Sequence, residues 1–486
     1  MTTDQENAYL KTENFFLKTK IDELEELVRA LQRNRFASKS ESLNHPGMKS
    51  LFHDEAETAE PTFPEKKKVR SYSRSTARKP IPEDLPRENI YLDLPEAEKV
   101  CSCCSEPMQQ VSEKISEKLH IKPRRLSVHR FIKPVYGCKK CETVKQAKMP
   151  AHRLSRPSVT LESLAYLAYS KYAEGLPLYR IEKSLKADNV ELGRDKMSRW
   201  MIQIAGKLFP IKDLLHQKLL ESSMVAMDET SFQVLKEKDR PADRKSYVLV
   251  QTREGPPGQK ITVFHYEKSR AKATIEKYLD GFSGSFLTDG LGVYQTFSNE
   301  NSQVSHGGCW AHARRKFADA AKGKKNRVVA AKQMLLLIKD LFKAEKEIVC
   351  CDVDGKLEKR AKDCKPIIDK IHDLLAKGLV SYPANSLTGK AFKYLDNQWD
   401  YLTRFLEYPH LIIHNNYVER QIKPFVLGRK AWLFADSERG AHASATLYSL
   451  VNTAIENGLQ PYEYLCFALR GVAEGKSVEK LLPFNS

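Results

Sequence analysis

Long apolar runs are missing from this 486-residue chain. None approaches the ~18 residues that would cross a bilayer, so helical membrane spans are excluded as its organising feature. Acidic residues are also in deficit: 62 Asp and Glu face 80 Lys and Arg, a formal charge of +18. The basic excess recurs in clusters along the chain and is not confined to one tail. That suits a long polyanion, and nucleic acid is the expected partner. Cysteine is sparse at ten residues, and the start from Met1 to Glu13 is polar and acid-bearing, unlike a secretory signal. A disulfide framework is therefore disfavoured against metal ligands and buried thiols, and the expected location is the cytosol. One hydrophobic core seldom organises so long a chain, so two or more domains are expected.

Leu10, Leu17, Leu24 and Leu31 recur every seventh residue, with Asn14, Ile21 and Val28 at the alternate seam positions. This is the pattern of a short leucine zipper. Glu13 would face Lys18 of a parallel partner, and Lys20 would face Glu25, so a homodimer is expected. From Ser38 to about Leu94 the chain is rich in Ser, Pro, Lys and Glu, the composition of a flexible linker. Within it, Lys66, Lys67, Lys68, Arg70, Arg74, Arg78 and Lys79 form a basic arm that suits phosphates as well as it suits solvent.

Cys101 and Cys104 are separated by two residues, as are Cys138 and Cys141. Two such knuckles supply the four thiolates of one structural zinc ion. The gap between the pairs exceeds the usual ~15 to 20 residues, and Cys103, His120 and His129 remain alternative ligands. Between the knuckles, basic residues from Lys122 to Lys133 interleave with Ile121, Leu126, Val128 and Phe131, which predicts strands with a basic exposed face.

Helical periodicity follows over Leu161 to Tyr172 and Leu178 to Lys186, then a break near Asn189 to Gly193 and a third helix from Arg194 to about Ile204. Three short helices read as helix-turn-helix. Arg194, Lys196, Ser198 and Arg199 would then face a DNA groove, while Met197, Trp200 and Ile204 pack inward.

From Ser223 the periodicity changes to that of strands. Met224 to Met227 is an apolar run ending at Asp228, Tyr247 to Gln251 and Ile261 to His265 read as further strands, and Ser285 to Thr288 ends at Asp289. Adjacent strand ends can converge two carboxylates on one Mg²⁺. Each acid alone has a plainer reading: Asp228 as a turn cap, Asp289 as an Asp-Gly turn, and Glu419 in a capping box with Asn416 and an ion pair with Lys423.

The motifs carry more than the single residues. They include Leu176-Pro177-Leu178-Tyr179-Arg180, Asp228-Glu229-Thr230, Thr288-Asp289-Gly290, Cys309-Trp310-Ala311-His312-Ala313-Arg314-Arg315-Lys316-Phe317, Asn415-Asn416 with Glu419-Arg420, Gly428-Arg429-Lys430 and Asn457-Gly458. In these, and over nearly its whole length, the sequence resembles the insertion sequence 66 transposase family. The resemblance implies a DDE-type enzyme with an RNase H-like core, in which Asp228, Asp289 and Glu419 hold two Mg²⁺ or Mn²⁺ ions. Asp228 would bridge both ions, with Glu229 as a reserve ligand. It also implies double-stranded DNA as partner (terminal inverted repeats and target), a homodimer or higher assembly, accessory proteins of the same element and a prokaryotic, nucleoid-associated location. One departure stands out: His414 occupies the position before the Asn-Asn pair where family members commonly carry aspartate.

The fold class expected is multidomain α+β. Its parts are a coiled coil over 1–37, a linker over 38–94, a zinc ribbon over 95–150, a helical DNA-binding segment over 151–218, catalytic core over 219–325 and 411–486, and a helical insertion over 326–410. Apolar residues at helical spacing between Val328 and Leu406 support that insertion independently of the resemblance. His312, Arg314, Arg315 and Lys316, then Lys322, Lys324, Lys325 and Arg327, would neutralise phosphates, as would Arg420, Lys423, Arg429 and Lys430. Trp432 and Phe434 are candidate stacking platforms for a terminal base, with core packing as the plainer reading. The rival functions are a zinc-containing DNA-binding protein without catalysis and a purely hydrolytic nuclease.

Overall fold

The computed structural model describes residues 159–256, 258–322, 329–348 and 352–484, with three short stretches at 126–128, 135–137 and 144–146. The leucine-periodic segment, the basic linker, the four knuckle cysteines and Lys324, Lys325 and Arg327 lie outside the described residues. The chain divides into two units, one of which is Glu60–Met149. In that unit two strands, β1 (Val135–Gly137) and β2 (Val144–Gln146), pair antiparallel on either side of the second cysteine pair. Of the interleaved stretch before them only residues 126–128 are described; they have no regular structure, and Val128 is 90% exposed.

The larger unit opens with α1 (Leu161–Tyr172) and α2 (Leu178–Ala187). Thr160 caps α1 through its hydroxyl, and Pro177 begins α2 where no amide hydrogen is needed. The third helix, α3 (Arg194–Leu220), is not short. It runs for 27 residues through Pro210, because Leu208, Ile211, Leu215 and Leu219 extend its buried stripe against the rest of the core. Met197, Trp200 and Ile204 are buried as expected, and Arg194, Lys196, Ser198 and Arg199 are exposed.

The sheet follows: β3 (Met224–Lys236), β4 (Lys245–Arg253), β5 (Ile261–Glu267), helix α4 (Lys272–Leu279), β6 (Gly284–Leu287), helix α5 (Gly292–Glu300) and β7 (Val304–Gly307). Its order is β5-β4-β3-β6-β7, antiparallel among the first three strands and parallel from β3 through β6 to β7. The first strand continues well past Asp228, which pairs with Val250 in mid-strand. The polar run Glu229-Thr230-Ser231 hid this extension in the sequence, while Phe232 and Val234 beyond it are buried.

Helix α6 (Trp310–Ala320) leads into α7 (Val329–Ile348), α8 (Val353–Lys359), a π-helical turn at Arg360–Cys364, α9 (Lys365–Ser381), α10 (Leu387–Asn397) and α11 (Trp399–Thr403). These helices form a hydrophobic core of their own around Trp310, Phe317, Ile338, Ile371 and Phe392. Within it Arg360 binds Glu345 through two nitrogens at 2.7 and 2.8 Å and donates to the carbonyls of Phe405, Tyr408 and Leu411.

The chain then returns to the sheet through α12 (Asn416–Trp432), and β8 (Ala435–Ser437) pairs parallel with the far end of β3. Helices α13 (Glu438–Glu456) and α14 (Pro461–Glu474) complete the other core, whose buried residues run from Leu164 to Val304 and from Val418 to Leu482. Helix α13 seals the outer edge of β5 with side chains four residues apart. Ser449 accepts from the Phe264 amide, Thr453 pairs with both backbone groups of Thr262, and Asn457 does the same at Lys260.

Helix α12 packs closely on this layer. Gly428 faces Tyr448, and a Cβ at that position would overlap the tyrosine hydroxyl. Gly428→Ala is expected to cost about 1–3 kcal/mol of stability by overpacking, measurable as a lower denaturation midpoint. Among the described residues, no helix is long and apolar enough to cross a membrane.

Candidate active site

Three elements bring the acids together. Asp228 lies on β3, Asp289 on the turn after β6, and Glu419 in the first turn of α12. Burial raises the Asp228 carboxyl well above its ordinary range, and the negative charges of Asp289, Glu229 and Glu419 push it further. Against them, the Glu229 amide donates to Asp228 at 2.8 Å. Asp289 accepts from the Leu291 amide at 3.1 Å, which closes its turn.

Glu229 is engaged by its neighbours. Its carboxylate accepts from the Tyr294 hydroxyl at 2.6 Å and from Arg270 at 3.0 Å, and its side chain is 6% exposed.

Glu419 faces cations. Arg315 Nη2 lies 3.3 and 3.4 Å from its two oxygens, and His312 Nε2 is 3.6 Å away. Burial lowers the His312 pKa, which Glu419 opposes. The capping box expected at Asn416 is not formed: Asn415 is the cap residue, and its side-chain amide instead donates to the Met227 carbonyl at 3.1 Å. The Asn415 backbone amide donates to Cys309 Sγ at 3.2 Å. The glutamate helix is thus tied at its first residue both to the strand that carries Asp228 and to the start of α6. In the sequence Cys309 stands only at the head of the Cys309–Phe317 motif, and no ligand spacing marks this role.

His414 stacks on Phe342, with ring centroids 5.7 Å apart and planes within 5°. Its imidazole faces the charges of Glu254, Arg420 and Glu345, and burial lowers its pKa.

The remaining candidates are dispersed. Arg314 is partly buried, Lys316 lies over the Tyr394 ring, and Arg420 and Lys430 are exposed along α12. Arg429 turns inward and binds Thr230 and Ser231 of β3. Trp432 packs against Phe232 and Phe425 with centroids 5.5 Å away, so its plainer reading holds, whereas Phe434 is 42% exposed. Arg194, Lys196 and Arg199 stand at the start of α3, away from the acids in the chain's order.

Among the described residues, no three His, Cys, Asp or Glu side chains are gathered closely enough to hold one metal ion as they stand. The donor set nevertheless fits a hard divalent cation. All the donors are carboxylate oxygens, and the burial and mutual repulsion that raise Asp228 are what a bound cation would offset.

A family model described as "Transposase IS66 family" matches residues 156–443 and spans all three acids. The chain belongs to this transposase family. Two further family models match in the same order along the chain: "Transposase C of IS166 homeodomain" over residues 23–90 and "zinc-finger binding domain of transposase IS66" over residues 98–142. The second of these contains both cysteine pairs. The first begins inside the leucine-periodic segment and covers most of the stretch read as linker.

Among curated relatives, uncharacterized protein y4qI of Sinorhizobium fredii is 29% identical over 99% of this chain and 92% of its own length. Uncharacterized protein y4jD of the same organism is 29% identical over 83% of this chain and 81% of its own.

Proposed function

We propose that this family member is a DDE transposase that cuts and joins DNA through Asp228, Asp289 and Glu419, on a sheet that is the RNase H-like core implied by the sequence resemblance. The observation that carries the reading is three carboxylates borne by separate elements, near enough that Asp289 and Glu419 add to the burial that raises Asp228. The mixed sheet supports it, since a parallel crossover through α4 sets the Asp289 turn beside the strand of Asp228.

Divalent ions bound at these carboxylates would supply charge to activate an attacking oxygen and to stabilise the leaving one. Asp228 and Asp289 form the standing pair. Glu419 joins them when Arg315 exchanges the carboxylate for a phosphate oxygen, which an arginine fork suits geometrically. Lys316, on the helix of Arg315, adds positive charge for the DNA backbone, while His312, whose pKa burial lowers, would offer a neutral ring beside Glu419. Along α12, Arg420 and Lys430 extend this basic surface, and the exposed start of α3 with Arg194, Lys196 and Arg199 offers a second contact to duplex DNA. The Cys101, Cys104, Cys138 and Cys141 set would fold the zinc-finger region around one zinc ion, and the amino-terminal heptads would pair two chains on two DNA ends.

The test is metal-dependent cleavage and joining of a labelled duplex carrying the element's terminal repeat, with any accessory proteins present. Nicked and joined products that are lost in Asp289→Ala and Glu419→Ala are the expected result. Binding without a metal-dependent cut would favour a DNA-binding protein without catalysis. Cutting without joining would favour a nuclease.

A further inference from the structure

The turn that presents Asp289 is gripped from outside the sheet. Tyr394, on α10, donates its hydroxyl to the Asp289 carbonyl at 3.1 Å. Gln398, which caps the same helix, donates to the Gly290 carbonyl at 3.4 Å, and Gln295 of α5 fixes its side-chain oxygen at 3.0 Å. Gly290 has φ +89°, and a Cβ there would lie 2.5 Å from that same Gln398 oxygen, so the turn and the glutamine fit only with each other. Helix α10 is itself anchored by Phe392 and Leu395, both fully buried in the core of the helical insertion.

From this arrangement we propose that Tyr394 and Gln398 are positioning residues for Asp289, so that the helical insertion sets the aim of the second carboxylate as well as separating it from the third. The inference rests on the proposed role of Asp289 as a metal ligand. One Asp289 oxygen is already engaged by the Leu291 amide, and a glycine follows, so without outside contacts the turn could rotate the other oxygen away from Asp228. Two hydrogen bonds to consecutive carbonyls remove that rotation before any ligand binds. Such supporting contacts around a ligand typically change metal affinity about 10- to 100-fold when removed.

The experiment uses the full chain and reads the rise of Tm with Mn²⁺ concentration. Asp228→Ala defines the part of that rise that belongs to the acid site. Gln398→Leu is expected to move the Mn²⁺ midpoint up about tenfold, and Tyr394→Phe, which removes a single hydroxyl and keeps the ring, is expected to move it in the same direction. Ile338→Val, on α7, serves as a control that loosens the insertion core away from α10, and its midpoint should stay at the wild-type value. An unchanged midpoint in both Gln398→Leu and Tyr394→Phe would overturn the positioning role while leaving Asp289 a ligand. An equal shift in Ile338→Val would overturn it too, reducing the contact to general support. No Asp228-dependent response to Mn²⁺ in the wild type would remove the metal-site reading and this inference together.

Discussion

Asp228→Asn is expected to lower the rate of end cleavage by about a thousandfold or more while making the metal-free protein harder to melt. The first effect follows from losing a ligand whose ions are worth several kcal/mol of transition-state stabilisation, at about 1.4 kcal/mol per tenfold. The second follows from the electrostatics of the site. Burial and three neighbouring carboxylates raise the folded-state pKa of Asp228, whereas in the unfolded chain it ionises near its ordinary value of about 3.9. Below that value both states are protonated and the group carries no stability cost. As pH rises, the unfolded chain ionises first, and stability falls until the folded carboxyl also ionises. Asparagine has no charge to be penalised, so the gain should be absent near pH 4 and largest at neutral pH. Each kcal/mol recovered raises Tm by about 2–4 °C in a domain of 150–250 residues, and by less in a larger one. Thermal melts in chelator from pH 4 to 8 measure it. A variant that is less stable than wild type at pH 7 would mean that Asp228 is held by stabilising contacts and not strained by its neighbours.

Arg360→Met is expected to cost about 3–5 kcal/mol, the usual result of leaving one member of a buried ion pair alone. Glu345, its partner, is 7% exposed, and three main-chain carbonyls would lose their donor at the same time. Replacing both, as Glu345→Gln with Arg360→Met, should recover a large part of the loss because no buried charge is then uncompensated. The damage should extend to function, since the carbonyls that Arg360 holds belong to the segment leading from the insertion into the glutamate helix. A denaturant titration of the single and double variants checks the first claim. A double variant no more stable than the single would show that the carbonyl contacts outweigh the ion pair.

Much of the site was legible because the chemistry of a few acids sits in recognisable surroundings. Asp228, Asp289 and Glu419 were each reached from short apolar runs and family motifs, and the helical spacing of Phe392, Leu395 and Leu402 disclosed a separate helical block. The length of β3 was not legible, because the polar residues after Asp228 line the site and break the alternation that marks a strand. The partners of Glu229 were hidden for a similar reason: adjacency to Asp228 says nothing about Tyr294 and Arg270, which come from later elements. The grip of Tyr394 and Gln398 on the Asp289 turn spans 105 and 108 residues. Periodicity reports which face of a helix is apolar, but not which polar residue at its edge meets a distant carbonyl. The roles of Cys309 and Asn415 depend in the same way on contacts between segments more than a hundred residues apart.

The ladder of Ser449, Thr453 and Asn457 along β5 bears on how the protein is made. These side chains belong to a helix synthesised almost two hundred residues after the strand they cover. A ribosome that stops after residue 437 would release a chain carrying the whole sheet and both aspartates but not α13. Its outer edge would then be bare and ready to pair with the same edge of another copy. Truncated products of this sequence should therefore collect in inclusion bodies even where every residue of the sheet is intact.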